Sequence, residues 1–246
     1  MTRVAFICLG AYHIANWNKE QNFDRQSVYS IALTQALAIA EHSVTKEKDL
    51  DLSLFIMENT VSNPEEQIIK EFRDQFSHPR IKDVIYINDN SLGSKNKGAG
   101  EYMMCRAAIE KHKDTLKDYD WIVYYTLRQI IVQPNTLEAI YEIEKSVDKK
   151  DNVIIGGLDS WDKTGKKTFA AKENYCDMIF AMRPKQFFDY IDSMSPEELT
   201  KKKMNSEKNL YFFVNRGIEA GTIHAKELTW NGVMRYVQPT NTTEIC

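Results

Sequence analysis

The sequence predicts an α/β protein: a mostly parallel sheet with helices on both faces, in a single domain. Three observations predict it. Short apolar runs alternate with stretches of helical periodicity through the first two-thirds of the chain. Gly and Pro punctuate these segments, as at Gly10, Pro64, Pro134 and Gly156-Gly157. The length of 246 residues, 43% of them hydrophobic and 27% charged, is enough to bury a sizeable core, and no repeat or low-complexity linker divides it.

Taken in order, Arg3–Leu9 is an apolar run that ends at Gly10 and reads as a buried strand. Val28, Ile31, Leu33, Leu37 and Ile39 recur at helical spacing, so Ser27–His42 is a helix. Asp51–Met57 is the second strand. Pro64 opens a helix to Asp74, with Glu65 and Glu66 in the first turn, where the helix dipole favours anions. Val84–Asn88 is a third strand, Glu101–Lys113 a helix and Asp120–Thr126 a fourth strand. Pro134-Asn135-Thr136 starts a helix that runs to Ser146, and Asn152–Ile155 is the fifth strand.

The last third reads differently. Asp177–Met182 is a strand, Pro184–Ser193 a helix, and Pro196–Arg216 a long helical stretch broken near Asn205-Ser206. Thr222–His224 and Val233–Val237 are short strands. This part is expected to continue the sheet and to build a second wall over the site.

The charge balance narrows the partners. With 32 basic and 35 acidic residues the net charge is −3, which does not suit a nucleic-acid binder. Lysines cluster at Lys145-Lys149-Lys150, Lys163-Lys166-Lys167 and Lys201-Lys202-Lys203. They read as solvated helix ends and loops, or as a face for peripheral association with an anionic membrane or an acidic glycan. Cys8, Cys105, Cys176 and Cys246 are far apart and form no C-x-x-C pair, a usage expected of a reducing, cytoplasmic compartment. No apolar run reaches membrane-spanning length, and residues 2–10 read as a strand rather than a leader.

In a parallel sheet ligands sit outside the carboxyl ends of the strands. The loops that matter therefore follow residues 9, 57, 88, 126 and 155. Asp118-Tyr119-Asp120 is a literal Asp-x-Asp but precedes its strand, which puts it on the wrong rim. Gly10-Ala11-Tyr12 follows the first strand: small residues admit a base close to the backbone and Tyr12 can stack on it, or Tyr12 merely covers the loop. Glu58-Asn59-Thr60 follows the second strand, either to accept ribose hydroxyls or a base N–H, or as a solvated polar turn. Lys95-Asn96-Lys97-Gly98-Ala99-Gly100 puts glycines, amides and positive charge at a helix start, a phosphate or sugar site or else a plain turn and cap. Asp159-Ser160-Trp161-Asp162 follows the fifth strand and suits a sugar, whose hydroxyls bind acids and whose ring face stacks on Trp161.

Leu52–Thr60, Ile85–Ser91, Asn96-Lys97-Gly98 and Asp120–Pro134, in this order and spacing, resemble the GT-A-fold glycosyltransferases that use nucleotide-diphosphate sugars. The resemblance spans residues 3–135. It implies a GT-A-like sheet, with residues 1–156 as the nucleotide-sugar half and 157–246 as the acceptor half. It also implies transfer of a sugar from a nucleotide-diphosphate donor to a glycan, a lipid-linked or another hydroxyl acceptor, with inversion. In that family an Asp-x-Asp holds a divalent cation against the leaving diphosphate. This chain has Thr126-Leu127-Arg128 there. Arg128 offers a permanently charged fork for phosphate oxygens, which makes a metal-independent site the economical reading. The alternatives are Arg128 salt-bridged in the rim, or Mn2+ or Mg2+ held by Asp89 or Asp159. The family's Ala-Arg-Asn after the Asn-x-Gly is absent; Glu101-Tyr102-Met103 stands in its place and the arginine comes at Arg106.

The resemblance further implies a general base at the start of a late helix. Glu207 is the match, Asp159 and Asp162 compete, and Glu207 beside a capping Ser206 also reads as a simple dipole partner. His224 is a phosphate contact or a structural residue. Two other functions stay open: a non-catalytic sugar- or nucleotide-binding relative, and a nucleotidyltransferase. The latter expects a Gly-rich basic loop after the first strand, which Gly10-Ala11-Tyr12-His13 does not supply.

Overall fold

Strand β1 (Thr2–Gly10) lies near the middle of the molecule, between β2 (Leu50–Glu58) and β4 (Trp121–Thr126), and runs parallel to both. These strands belong to a computed structural model that describes residues 1–11, 25–42, 47–60, 77–87, 89, 91–156, 174–237 and 242–245. Outward from β2 lies the parallel β3 (Ile81–Tyr86). On the other side β4 pairs with β7 (Ile179–Met182), then β6 (Val153–Gly156), then β8 (Ala225–Leu228). The sheet thus has seven strands in the order β3-β2-β1-β4-β7-β6-β8. β7 alone among them runs antiparallel to its neighbours, so the sheet is mostly parallel.

The reason for a two-sided fold is visible along β1. Its residues from Val4 to Leu9 are all buried, alternately against one face and the other. Parallel strands covered on both faces carry continuous apolar runs of this kind. Val4, Phe6 and Cys8 pack toward α1 (Arg25–Glu41) and α3 (Asn135–Lys145). Ala5, Ile7 and Leu9 pack toward α2 (Lys97–Lys117), α4 (Pro184–Asp192) and α6 (Ser206–Glu219). Tyr124 stacks on Phe180 across the β4–β7 pair, ring centroids 4.5 Å apart. Burying each of these large side chains stabilises the fold by about 1.5–3 kcal/mol.

The late helices follow the sequence signals. Ser195 and Glu198 form a reciprocal capping box at α5 (Pro196–Lys202). Lys203 then turns left-handed, with φ 51°, and the Asn205 carboxamide accepts from the Lys208 N–H to start α6. The break expected near Asn205-Ser206 is therefore real. α2 begins at Lys97, earlier than Glu101, because Asn96 Oδ1 accepts from the Ala99 N–H at 3.2 Å.

Two sequence expectations are corrected. Thr222–His224 is not a strand: the Thr222 and Ile223 N–H groups donate to the Gly217 carbonyl and close the end of α6, and the strand starts at Ala225. The apolar run after Arg128 is itself a strand, β5 (Gln129–Ile131), which pairs with β9 (Val233–Val237). With β10 (Thr242–Ile245) they form a three-stranded second sheet. The Pro64–Asp74 helix lies outside the described residues.

The Asp118–Asp120 reading holds. The Arg3 N–H donates to Asp120 Oδ2 at 2.7 Å, at the amino end of β1 and so on the rim opposite the carboxyl ends. The described lysine clusters are partly paired locally: Lys149 with Glu144, Lys150 with Asp148, Lys202 with Glu198. No helix among the described residues is long and apolar enough to cross a membrane.

Candidate functional site

The register of the central strands sets the site. Gly10 is level with Glu58, and Leu9 is level with Thr126. Three strand ends therefore meet at one height, and a cavity of about 260 Å³ opens above them. Leu9, Gly10 and Ala11 come to it from β1, Asn59 and Thr60 from the turn after β2, and Thr126 and Arg128 from the turn after β4. Lys97, Gly100, Glu101 and Met104 face it from the first turns of α2, whose N-terminal dipole adds partial positive charge. Tyr29 of α1 closes another side.

The floor toward α6 is a network of charged groups. Lys97 Nζ lies 2.9 Å from Glu101 Oε1, one helical turn on. The other Glu101 oxygen, Oε2, accepts from Ser206 Oγ at 2.9 Å. Ser206 Oγ also lies in hydrogen-bond contact with Asp177 Oδ2, and 3.4 Å from Glu207 Oε2. Glu101, Asp177 and Ser206 are all buried. Burial pushes the Glu101 carboxyl up, but Lys97, Arg128 and Ser206 outweigh it and hold it below the usual range. Burial and then Glu207 push Asp177 up to about 8. For Lys97, whose side chain is about half exposed, partial desolvation pulls down while Glu101 and Asp177 pull up more strongly, so it stays a cation. Arg128 makes no ion pair with the described residues, although its charge is felt by both Lys97 and Glu101.

The residues singled out from the sequence fall into three groups. Gly10, Ala11, Asn59 and Arg128 line the cavity. Glu207 reaches the edge of its charged floor. Glu58, Lys95, Asn96 and Gly98 do not line it. Glu58 is buried behind the wall, where its Oε1 accepts from the Thr60 N–H and hydroxyl. Lys95 is exposed on the turn before α2. Asn96 caps α2 and donates from Nδ2 to the Leu199 and Met204 carbonyls, at 3.2 and 2.9 Å. Gly98 packs against the start of α6. Tyr12, Asp159 and Asp162 lie outside the described residues. His224 sits before β8 at the amino rim, its N–H on Asn152 Oδ1, far from the phosphate role.

No protein-family model matches the sequence, and no curated protein matches it either. Solved structures do resemble it. A putative glucose-1-phosphate thymidylyltransferase from Bacillus anthracis, in complex with a sucrose, is similar with a TM-score of 0.52 at 10% identity, over 98% of this chain and 92% of that one. The apo form of mouse xyloside xylosyltransferase 1 is similar with a TM-score of 0.49 at 13% identity, over 93% of this chain and 87% of that one. The fold is α/β and GT-A-like.

Several members of the site were not legible as such in the sequence. Asp177 precedes β7, and in a wholly parallel sheet that would place it on the far rim. Because β7 is antiparallel, its start lies beside the end of β4, where the Thr126 N–H donates to the Met178 carbonyl at 3.1 Å. The i,i+4 spacing of Lys97 and Glu101 was a readable signal for their pairing.

Among the described residues, the donors at this rim do not form a divalent-cation site; Asp159, the other carboxylate considered for a metal, lies outside them. Thr126 and Arg128 stand at the end of β4, Glu58 is bound within its own turn, and Asp89 is exposed and accepts from the Ser91 N–H. No group of three or more His, Cys, Asp or Glu among the described residues is placed to hold a metal ion. What the cavity does offer is a guanidinium with no ion pair among the described residues, a lysine and a helix N-terminus on one side, and polar groups of Asn59 and Thr60 on another. That combination suits a phosphorylated, hydroxyl-bearing ligand.

Proposed function

We propose that the protein is a glycosyltransferase that moves a sugar from a nucleotide-diphosphate donor to a hydroxyl acceptor on a glycan or lipid-linked glycan, with inversion and without a metal. The observation that carries the reading is Arg128. It is a cation with no ion pair among the described residues, at the carboxyl end of a central strand and in the wall of the cavity. In the reaction the bond from the sugar's anomeric carbon to the diphosphate oxygen breaks, and charge gathers on the leaving phosphate. Fixed positive charge there lowers the barrier. Arg128 and Lys97 supply it, with the α2 N-terminus behind them.

Asn59 and Thr60 take the nucleoside hydroxyls, and Gly10 and Ala11 admit the base close to the backbone. Glu207 takes the acceptor's proton, and Asp159 and Asp162 bind the sugar or acceptor. The GT-A-like fold supports the reading, since ligands of such sheets bind at this rim.

The test is single-turnover transfer with a panel of nucleotide sugars and oligosaccharide acceptors, with chelator present. Arg128→Ala is expected to abolish most turnover, and Lys145→Ala, on the far end of α3, to leave it intact. Equal activity in the two variants, or complete loss with chelator that manganese restores, overturns the role of Arg128. Turnover of a nucleoside triphosphate with a sugar 1-phosphate, instead of transfer, identifies a nucleotidyltransferase.

A further inference from the structure

We infer that Asp177 is a positioning residue of this site: as a neutral acid it donates to Ser206, which donates to Glu101, and this chain fixes the Lys97–Glu101 pair in the cavity wall.

The argument is a count of hydrogens. A serine hydroxyl has one hydrogen to give, and an ionised carboxylate has none. Ser206 Oγ stands between Glu101 Oε2, at 2.9 Å, and Asp177 Oδ2. Two ionised carboxylates cannot both be satisfied by it, and burial leaves no bulk water to take the place of the missing donor. One of the two carboxyls therefore holds a proton. Glu101 has Lys97 Nζ at 2.9 Å and the Arg128 field beside it, and stays ionised. Asp177 has no ion pair among the described residues, so it holds the proton and donates to Ser206.

The other groups around Asp177 agree. Glu207, on α6, repels a second negative charge. Tyr102 and Cys105 on α2, Tyr124 on β4 and Tyr190 on α4 are all pushed up by burial and are neutral. The Tyr124 hydroxyl is buried without a hydrogen-bond partner among the described residues, so no further donor from it satisfies an ionised Asp177.

The consequence rests on the donor-site reading above. With Asp177 neutral, the charges of Lys97 and Arg128 balance those of Glu101 and Glu207, and the α2 N-terminus tips the wall positive. With Asp177 ionised, a third carboxylate competes for Lys97 and the wall turns against a phosphate. Anion affinity should then fall as the pH passes through about 8.

Two measurements test this on the full chain. Infrared spectroscopy of the wild type is expected to show a buried protonated-carboxyl band below that pH, which fades above it and is absent from Asp177→Asn. Calorimetry with inorganic pyrophosphate is expected to show at least about a tenfold loss of affinity across the same range, one charge acting at short distance. Asp177→Asn, which keeps a donor toward Ser206 and adds no charge, should flatten that profile. If Asp177→Asn does not fold, Ser206→Ala serves, since it breaks the chain and should shift the midpoint of the band. A wild type without the band, or identical pyrophosphate profiles in wild type and variant, overturns the proposal. The band without any pyrophosphate binding supports the proton chain and overturns the donor-site reading instead.

Discussion

Gly98 lies directly against Ser206: a Cβ placed on Gly98 would stand 2.8 Å from the Ser206 backbone nitrogen. The glycine that resembled a ligand-binding Asn-x-Gly is thus the point where α2 meets α6. Its missing side chain lets the two helices that carry Lys97, Glu101 and Ser206 approach closely enough to share hydrogen bonds. Gly98→Ala should push α6 back at its first residue, where backbone rather than a flexible tip must yield. A destabilisation of about 1–3 kcal/mol is expected, as for other overpacked sites. Urea unfolding measures it. Because Ser206 moves with α6, pyrophosphate affinity should fall as well, whereas Gly221→Ala, at the far end of α6 where φ is 69° and the alanine costs stability through backbone strain alone, should leave that affinity unchanged.

Arg128 gives the second prediction. Truncation to alanine removes from the cavity wall a cation that has no ion pair among the described residues, and is expected to cost about 10²–10³ in turnover, the range for loss of a single transition-state donor. Arg128→Lys should recover only part of this, since a point charge cannot engage two phosphate oxygens in the plane that a guanidinium offers. Single-turnover rates of the three proteins on one donor decide it. A lysine variant as slow as alanine means the fork geometry matters more than charge.

The sheet order was legible where strands announce themselves by composition. β1, β2 and β4 are apolar runs buried on both faces, and each was readable to within a residue or two. Chain direction was not legible: nothing in Ile179–Met182 says that it runs against its neighbours, and that direction alone brings Asp177 to the ligand rim. β5 was hidden because three residues carry no period of their own and are a strand only through pairing with β9. For the site, rim logic found Gly10, Ala11, Asn59 and Arg128. Glu58, Asn96 and Gly98 do not line the cavity: there, polar or small residues at strand and helix ends serve the local turn, the cap and the packing of α2 on α6.

The third prediction concerns stability against pH. Asp177 is raised in the folded protein to about 8 from an ordinary aspartate value, so the native state keeps a proton that the unfolded chain releases above about pH 4. The native state binds more protons through this window, and the slope of stability against pH is negative there. The contribution of the neutral Asp177 is fully present below the unfolded value and is lost as pH rises toward about 8. Asp177→Asn should therefore gain on the wild type with each step in pH, by up to about 1.4 kcal/mol per unit for one proton. Urea midpoints measured side by side across the window report it. Parallel curves mean Asp177 is ionised in the native state.

Asn96 supplies the last prediction, and it separates a ligand role from a structural one. Its Oδ1 caps α2 through the Ala99 N–H, and its Nδ2 ties that cap to the Leu199 and Met204 carbonyls at the α5 end. Asn96→Ala removes all three bonds and takes the donor from the Met204 carbonyl, while the Leu199 carbonyl still accepts from the Met204 N–H, at an expected cost of about 1–3 kcal/mol. Asn96→Asp keeps the cap acceptor but sets a carboxylate oxygen against the two carbonyls, so it should be less stable than the wild type. Neither variant should reduce pyrophosphate affinity as far as Arg128→Ala does, provided binding is measured where each remains folded. If Asn96→Asp unfolds like the wild type yet loses pyrophosphate, the Asn96 side chain meets the ligand after all, and the capping account of that residue is wrong.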